Sequence, residues 1–122
     1  MDRQTDTTAK RVLVVEDDTV VRTSLTRVLE HAGFDVVAVA EYGRARDLVE
    51  AELFHALITD LDLPDGTGLD LLESVRHLRP RMRSILITGY GCSAIRKQAF
   101  ELEHVAYFEK PFDPRELLAA LA

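Results

Sequence analysis

Five short apolar runs, rich in β-branched residues, recur along the chain, each followed by a stretch of helical periodicity. They are VLVV (12–15), DVVAVA (35–40), ALIT (56–59), SILIT (84–88) and VAYF (105–108). A strand covered on one face alternates polar and apolar residues. Several of these runs are instead apolar throughout, which predicts strands of a parallel sheet covered on both faces.

The intervening stretches read as helices. Val21, Leu25, Val28, Leu29 and Ala32 share one helical face, and Gly33 is suited to stop that helix. Ala45, Leu48 and Val49 mark a second helix. Leu69, Leu72, Val75 and Leu78 mark a third, ended by Pro80. Ala94, Ile95, Ala99 and Leu102 mark a fourth. Asp113, Pro114 and Glu116 supply an N-cap, a proline at N1 and an acid at N3 for a fifth. Strand then helix, five times over, predicts an α/β fold with right-handed crossovers.

The polar, aperiodic segment 1–10 reads as a tail, and 11–122 as one folded unit of a size that suits a single core. Cys92 is the sole cysteine, so no internal disulfide can form. No apolar stretch resembles a signal peptide or reaches the length of a membrane span, and a cytoplasmic protein without membrane contact is expected. A formal net charge of -6 argues against nucleic-acid binding by this domain.

Ligands of open parallel sheets bind beyond the carboxyl ends of the strands. There the sequence places Glu16, Asp17 and Asp18 after the first run, then Asp60, Asp62 and Asp65 after the third. Thr88 and Gly89 follow the fourth, and Lys110 the fifth. Glu41, Tyr42 and Gly43, after the second, form no evident constellation. Two like charges ~4 Å apart cost on the order of 4 kcal/mol at an effective dielectric of ~20. Such carboxylates must take up protons, draw in Lys110, or bind a hard cation. Oxygen donors without His or Cys favour Mg²⁺, with Mn²⁺ as a substitute, over zinc or copper. A carboxylate is also a nucleophile toward phosphorus. The phosphoryl group it gains carries roughly -1.5 to -2 charge. That charge calls for the cation, the Lys110 ammonium and the Thr88 hydroxyl around it, with Gly89 leaving room.

VLVVEDD, ITDLDLPDGTGLDLL, ILITGY and AYFEKPFD, in this order, resemble the successive signatures of response-regulator receiver domains of two-component signalling. The resemblance spans about residues 11–122. It implies a flavodoxin-like (βα)5 three-layer sandwich with a parallel five-stranded sheet of order 2-1-3-4-5, the strand order that receiver domains share with flavodoxin. It implies Asp60 as phospho-acceptor, Asp17 as a direct Mg²⁺ ligand, Glu16 as a ligand through water, and the Asp62 backbone carbonyl as a further ligand. Thr88, Gly89 and Lys110 would hold the phosphoryl group. Thr88 and Tyr107 would form the switch, and the bond before Pro111 would be cis. The implied partner is a sensor histidine kinase or phosphotransfer protein. A homodimer on phosphorylation is a further expectation, and the face formed by the fourth helix, fifth strand and fifth helix would control an output such as transcription.

Some residues depart from the commonest family pattern. Glu16 stands where many members have Asp, and Asp62 and Tyr90 occupy positions that tune phosphoryl lifetime. The segment ELEHVAYF lacks a glycine often found before the fifth strand.

Other readings compete. DLDLPDG also resembles the nucleophile motif of haloacid-dehalogenase-like phosphohydrolases, with Asp60 as nucleophile and Asp62 as acid/base. That nucleophile, however, usually follows the first strand, and the family's later acidic pair has no match here. An interaction domain that keeps only the fold is a third reading, and such relatives usually lose key residues that are all present here. Taken singly, Glu16, Asp17 and Asp18 are acids near a helix N-terminus, and 60–68 is a polar turn. Arg76, Arg79, Arg81 and Arg83 read as a solvated helix end away from the acidic rim. The four histidines lack metal-ligand spacing, and Cys92 reads as a structural or exposed thiol. A stand-alone regulator and the front part of a longer one are both open readings, and the apolar ending LLAALA favours the second, with an output domain beyond residue 122.

Overall fold

The structure is a computed structural model that describes residues 10–89, 93–102 and 104–121. Tyr90, Cys92 and all but the last residue of the 1–10 segment lie outside these. The elements run β1 (Arg11–Val15), α1 (Thr19–His31), β2 (Asp35–Val39), α2 (Tyr42–Ala51), β3 (Ala56–Asp60), β4 (Asp62–Leu63) and β5 (Gly66–Thr67). There follow α3 (Gly68–Leu78), β6 (Arg83–Thr88), α4 (Ser93–Phe100), β7 (Val105–Glu109) and α5 (Pro114–Leu121).

Five strands form one parallel sheet of order β2-β1-β3-β6-β7. With the small β4–β5 pair set aside, this is the expected 2-1-3-4-5 order. The unbroken apolar runs have a simple cause. Leu13, Val15, Leu57 and Leu86 join a core with residues of α2, α3 and α4, such as Val49, Leu72 and Ala99. Val12, Val14, Ile58, Ile85 and Ile87 join a second core with Leu25 and Leu29 of α1 and Leu117 and Leu121 of α5. Alternate residues enter opposite layers, and both layers are apolar. Full burial of each such side chain contributes about 1.5–3 kcal/mol.

Among the described residues, the starts of α1, α3 and α5 are capped by nearby side chains, and that of α2 by a distant one. The Asp18 carboxylate accepts from the Val20 and Val21 N–H groups at the start of α1, and Gly33 (φ 100) follows its end. Thr67 accepts from Asp70 N at α3, and Asp113 from Arg115 N at α5. For α2, the flanking Glu41 makes no side-chain cap. Asp65, from the β4–β5 turn, accepts instead from Tyr42 N at 2.7 Å and Gly43 N at 3.0 Å.

The stretch 60–68 is more than a turn, since it contains the antiparallel hairpin β4–β5. The fourth helix is shorter than its apolar pattern suggests. Ala94 is exposed, and Leu102 is buried from beyond the helix end, where its N–H bonds to Ala99 O. The turn into β7, where a glycine is often found in the family, holds His104 at φ 63. Its carbonyl accepts from Ser84 N at 2.9 Å. No helix among the described residues is long and apolar enough to cross a membrane.

Candidate functional site

Asp60 is the last residue of the central strand β3 and is 7% exposed. The strand end is held tightly: Leu61 N donates to Ile87 O and Gly68 N to Leu61 O. A side chain at position 68 would clash with the Asp60 carbonyl, so only glycine fits there. The buried Thr59 hydroxyl donates to that same carbonyl at 2.9 Å. The Gly68 contact was not legible in the sequence, because it depends on where the chain returns after the hairpin.

Glu16, at the end of β1, is 1% exposed. Its N–H donates to Val39 O. Both carboxylate oxygens are engaged, Oε2 by Asp18 N at 3.1 Å and Oε1 by Lys110 Nζ at 3.1 Å. Lys110 Nζ also lies 3.4 Å from Asp60 Oδ1. The lysine is placed by its own N–H, which donates to Thr88 O at 2.8 Å, and the Lys110–Pro111 bond is cis. Asp17 is exposed, and each of Glu16, Asp17 and Asp60 offers an oxygen within 4.8 Å of the others. Among the described residues, this is the group suited to hold a metal ion.

One ammonium therefore serves two buried carboxylates. Burial pushes Asp60 above the usual carboxylate range despite Lys110. Burial does the same to Glu16, against the opposing pull of the Asp18 N–H and of Lys110. Burial works against the Lys110 ammonium, but the hydrogen bond and charge of Glu16, with the charge of Asp60, hold its pKa above the ordinary value. A divalent cation would relieve the excess negative charge, and the donors are hard oxygens.

The other candidates divide. Asp62 is exposed, and its charge raises the Asp60 pKa further. Asp18 and Asp65 serve helix termini instead; the two N–H groups Asp65 accepts, Gly43 first, lower its pKa. Thr88 is fully buried at the end of β6. Gly89 is exposed, and a side chain there would meet nothing within 4 Å. Tyr107 lies on the outer strand β7, half-buried, with its hydroxyl donating to Glu109 at 3.3 Å and the Arg96 guanidinium 5.9 Å from its ring centroid. The arginine cluster sits where β6 begins, opposite the acidic rim. Arg79 donates to the carbonyls of Leu78 and Glu50, and Arg83 to that of Ala120.

Arg22 was missed by sequence reasoning. From α1 it donates to Glu16 O at 2.8 Å.

A family model described as the response regulator receiver domain matches residues 12–122. The chain belongs to this family, whose members are signalling switches of two-component systems and are not generally classed as enzymes. Acid tolerance regulatory protein ActR of Rhizobium meliloti (strain 1021) is 41% identical over 115 residues, 92% of this chain and 58% of that protein. The chain thus spans less than two thirds of that relative. The CheY-like receiver domain protein from Methanospirillum hungatei JF-1 superposes with a TM-score of 0.87 at 37% identity, over 92% of this chain and 90% of that one. A response regulator from Burkholderia pseudomallei, crystallised with a phosphorylated aspartic acid, calcium ion and citrate, gives 0.85 at 34% identity, over 93% and 66%. Against the phosphohydrolase alternative, Asp60 ends the third strand rather than the first.

Proposed function

We propose that Asp60 accepts a phosphoryl group from the phosphohistidine of a sensor histidine kinase or phosphotransfer protein, and stores it as a signal. The observation that carries this is the meeting of Asp60, Glu16, Asp17 and Lys110 at one rim of the sheet. An Asp60 carboxylate oxygen attacks phosphorus, the P–O bond forms as the P–N bond breaks, and the departing imidazole takes up a proton. Lys110 offsets the arriving charge, and Thr88 and Gly89 line the phosphoryl position. Slow attack by water later returns Asp60 to a carboxylate, so self-phosphorylation and self-dephosphorylation are the only chemistry required.

The donor set fits Mg²⁺, or Mn²⁺ in its place. Asp17 and Asp60 would hold it directly, with the Asp62 carbonyl. Glu16 would act through water, since both its oxygens already have protein partners. Bound there, the ion supplies counter-charge to the phosphoryl oxygens.

Residues 11–122 form the receiver unit and 1–10 a tail. The added charge draws Thr88 inward and lets Tyr107 repack, which alters the face of α4, β7 and α5. That change governs homodimer formation and an output, transcription being the one we favour, carried beyond this domain. The domain itself works in the cytoplasm and touches neither nucleic acid nor membrane.

The test is incubation with acetyl phosphate and Mg²⁺, read by intact mass. Wild type is expected to gain one phosphoryl group, and Asp60→Asn or chelator to prevent it. Phosphorylation of Asp60→Asn at the wild-type rate would sink the proposal, and steady turnover of phosphate esters would favour the phosphohydrolase.

A further inference from the structure

We infer that Arg22 is a positioning residue for the cation-binding carboxylates, clamping the Glu16 and Asp17 peptide units from α1. The inference rests on the proposed role of Glu16 and Asp17 in holding a divalent ion. Arg22 Nη1 donates to Glu16 O at 2.8 Å and reaches Asp17 O at 3.4 Å. The guanidinium comes from a fixed base. Arg22 N donates to Asp18 O at 2.9 Å, and the Thr26 hydroxyl donates to Arg22 O at 2.8 Å.

Asp17 is the residue that needs such a clamp. The Glu16 side chain is already held at both oxygens, by Asp18 N and Lys110. The Asp17 carboxylate is exposed, and among the described residues no hydrogen bond restrains it. The backbone therefore decides from where, and along which Cα–Cβ direction, this carboxylate reaches the rim. The Asp17 N–H belongs to the peptide unit whose carbonyl Arg22 grips most closely, and the Asp17 carbonyl is the second acceptor. Arg22 thus fixes the peptide planes on both sides of the Asp17 Cα. Ligand supports of this kind govern metal affinity without touching the metal.

Charge alone predicts the opposite effect. A guanidinium near the acidic rim repels a divalent cation, so its removal would tighten binding if electrostatics ruled. Positioning predicts weaker binding, and the sign of the change separates the two.

The test is a Mg²⁺ titration of the whole chain by calorimetry, for wild type, Arg22→Ala and Arg22→Lys. Phosphorylation by acetyl phosphate is measured across the same Mg²⁺ range. Arg22→Ala is expected to raise the Mg²⁺ Kd about tenfold. The half-saturating Mg²⁺ for phosphorylation should rise by the same factor, with the maximal rate unchanged. Arg22→Lys, which keeps the charge and one donor, should recover most of the affinity and controls for misfolding. A Kd for Arg22→Ala at or below wild type overturns the inference, as does a weakened Arg22→Ala that Arg22→Lys fails to improve. Wild type that binds no Mg²⁺ overturns the site reading and this inference together. Wild type that binds, beside an Arg22→Ala that binds equally, overturns this inference alone.

Discussion

Asp60 and Glu16 sit buried with a single ammonium between them, and this has a consequence for stability. Burial raises both carboxyl groups above their usual range in the folded state, whereas the unfolded chain returns them to it. The folded state therefore binds these protons more readily. The stability they contribute is complete below the unfolded pKa and is lost as pH rises through the raised folded values. Asp60→Asn removes one buried charge. Without divalent cations it should be more stable than wild type near neutrality, by on the order of 1 kcal/mol. The gap should narrow as pH falls into the carboxylate range. Urea unfolding at both pH values checks this, and a neutral-pH loss of stability on Asp60→Asn would contradict it. At this scale the sequence was legible in part. Asp60, Glu16, Asp17 and Lys110 were all placed at the rim, but the neighbouring Asp18 and Asp65 were grouped with them. An aspartate beside a strand end reads the same in sequence whether it faces a ligand site or caps a helix.

The elements were legible where their signals were local. The α5 start was announced by Asp113 and Pro114, and the α1 end by Gly33. The α2 cap was not, because its acceptor, Asp65, comes from a turn after the following strand. The β4–β5 hairpin escaped notice because strands of two residues are too short to show a period. The fourth helical pattern overran α4, since Leu102 is buried from the turn beyond it. His104 occupies the left-handed region before β7, a conformation that costs a residue with a Cβ about 1–2 kcal/mol. His104→Gly removes that strain but adds flexibility to the unfolded chain, so a net gain of about 0.5–1 kcal/mol is expected. A raised urea midpoint would show it, and an unchanged or lowered one would refute the strain.

At the scale of the molecule, the apolar runs encode a sheet with two covered faces, and the two cores bear this out. Pattern alone did not order the strands, because each central run is equally apolar. Family resemblance supplied the order, and the sheet shows it. That order gathers the ends of β1 and β3, with the segments after β6 and β7, at one rim while the arginines gather at the other. The most direct measurement is to phosphorylate the chain with acetyl phosphate and Mg²⁺, reduce the acyl phosphate with borohydride, and map the modified residue by peptide mass spectrometry. Modification is predicted at Asp60 and nowhere else; modification at Asp17, Asp62 or another carboxylate with Asp60 intact would contradict the account.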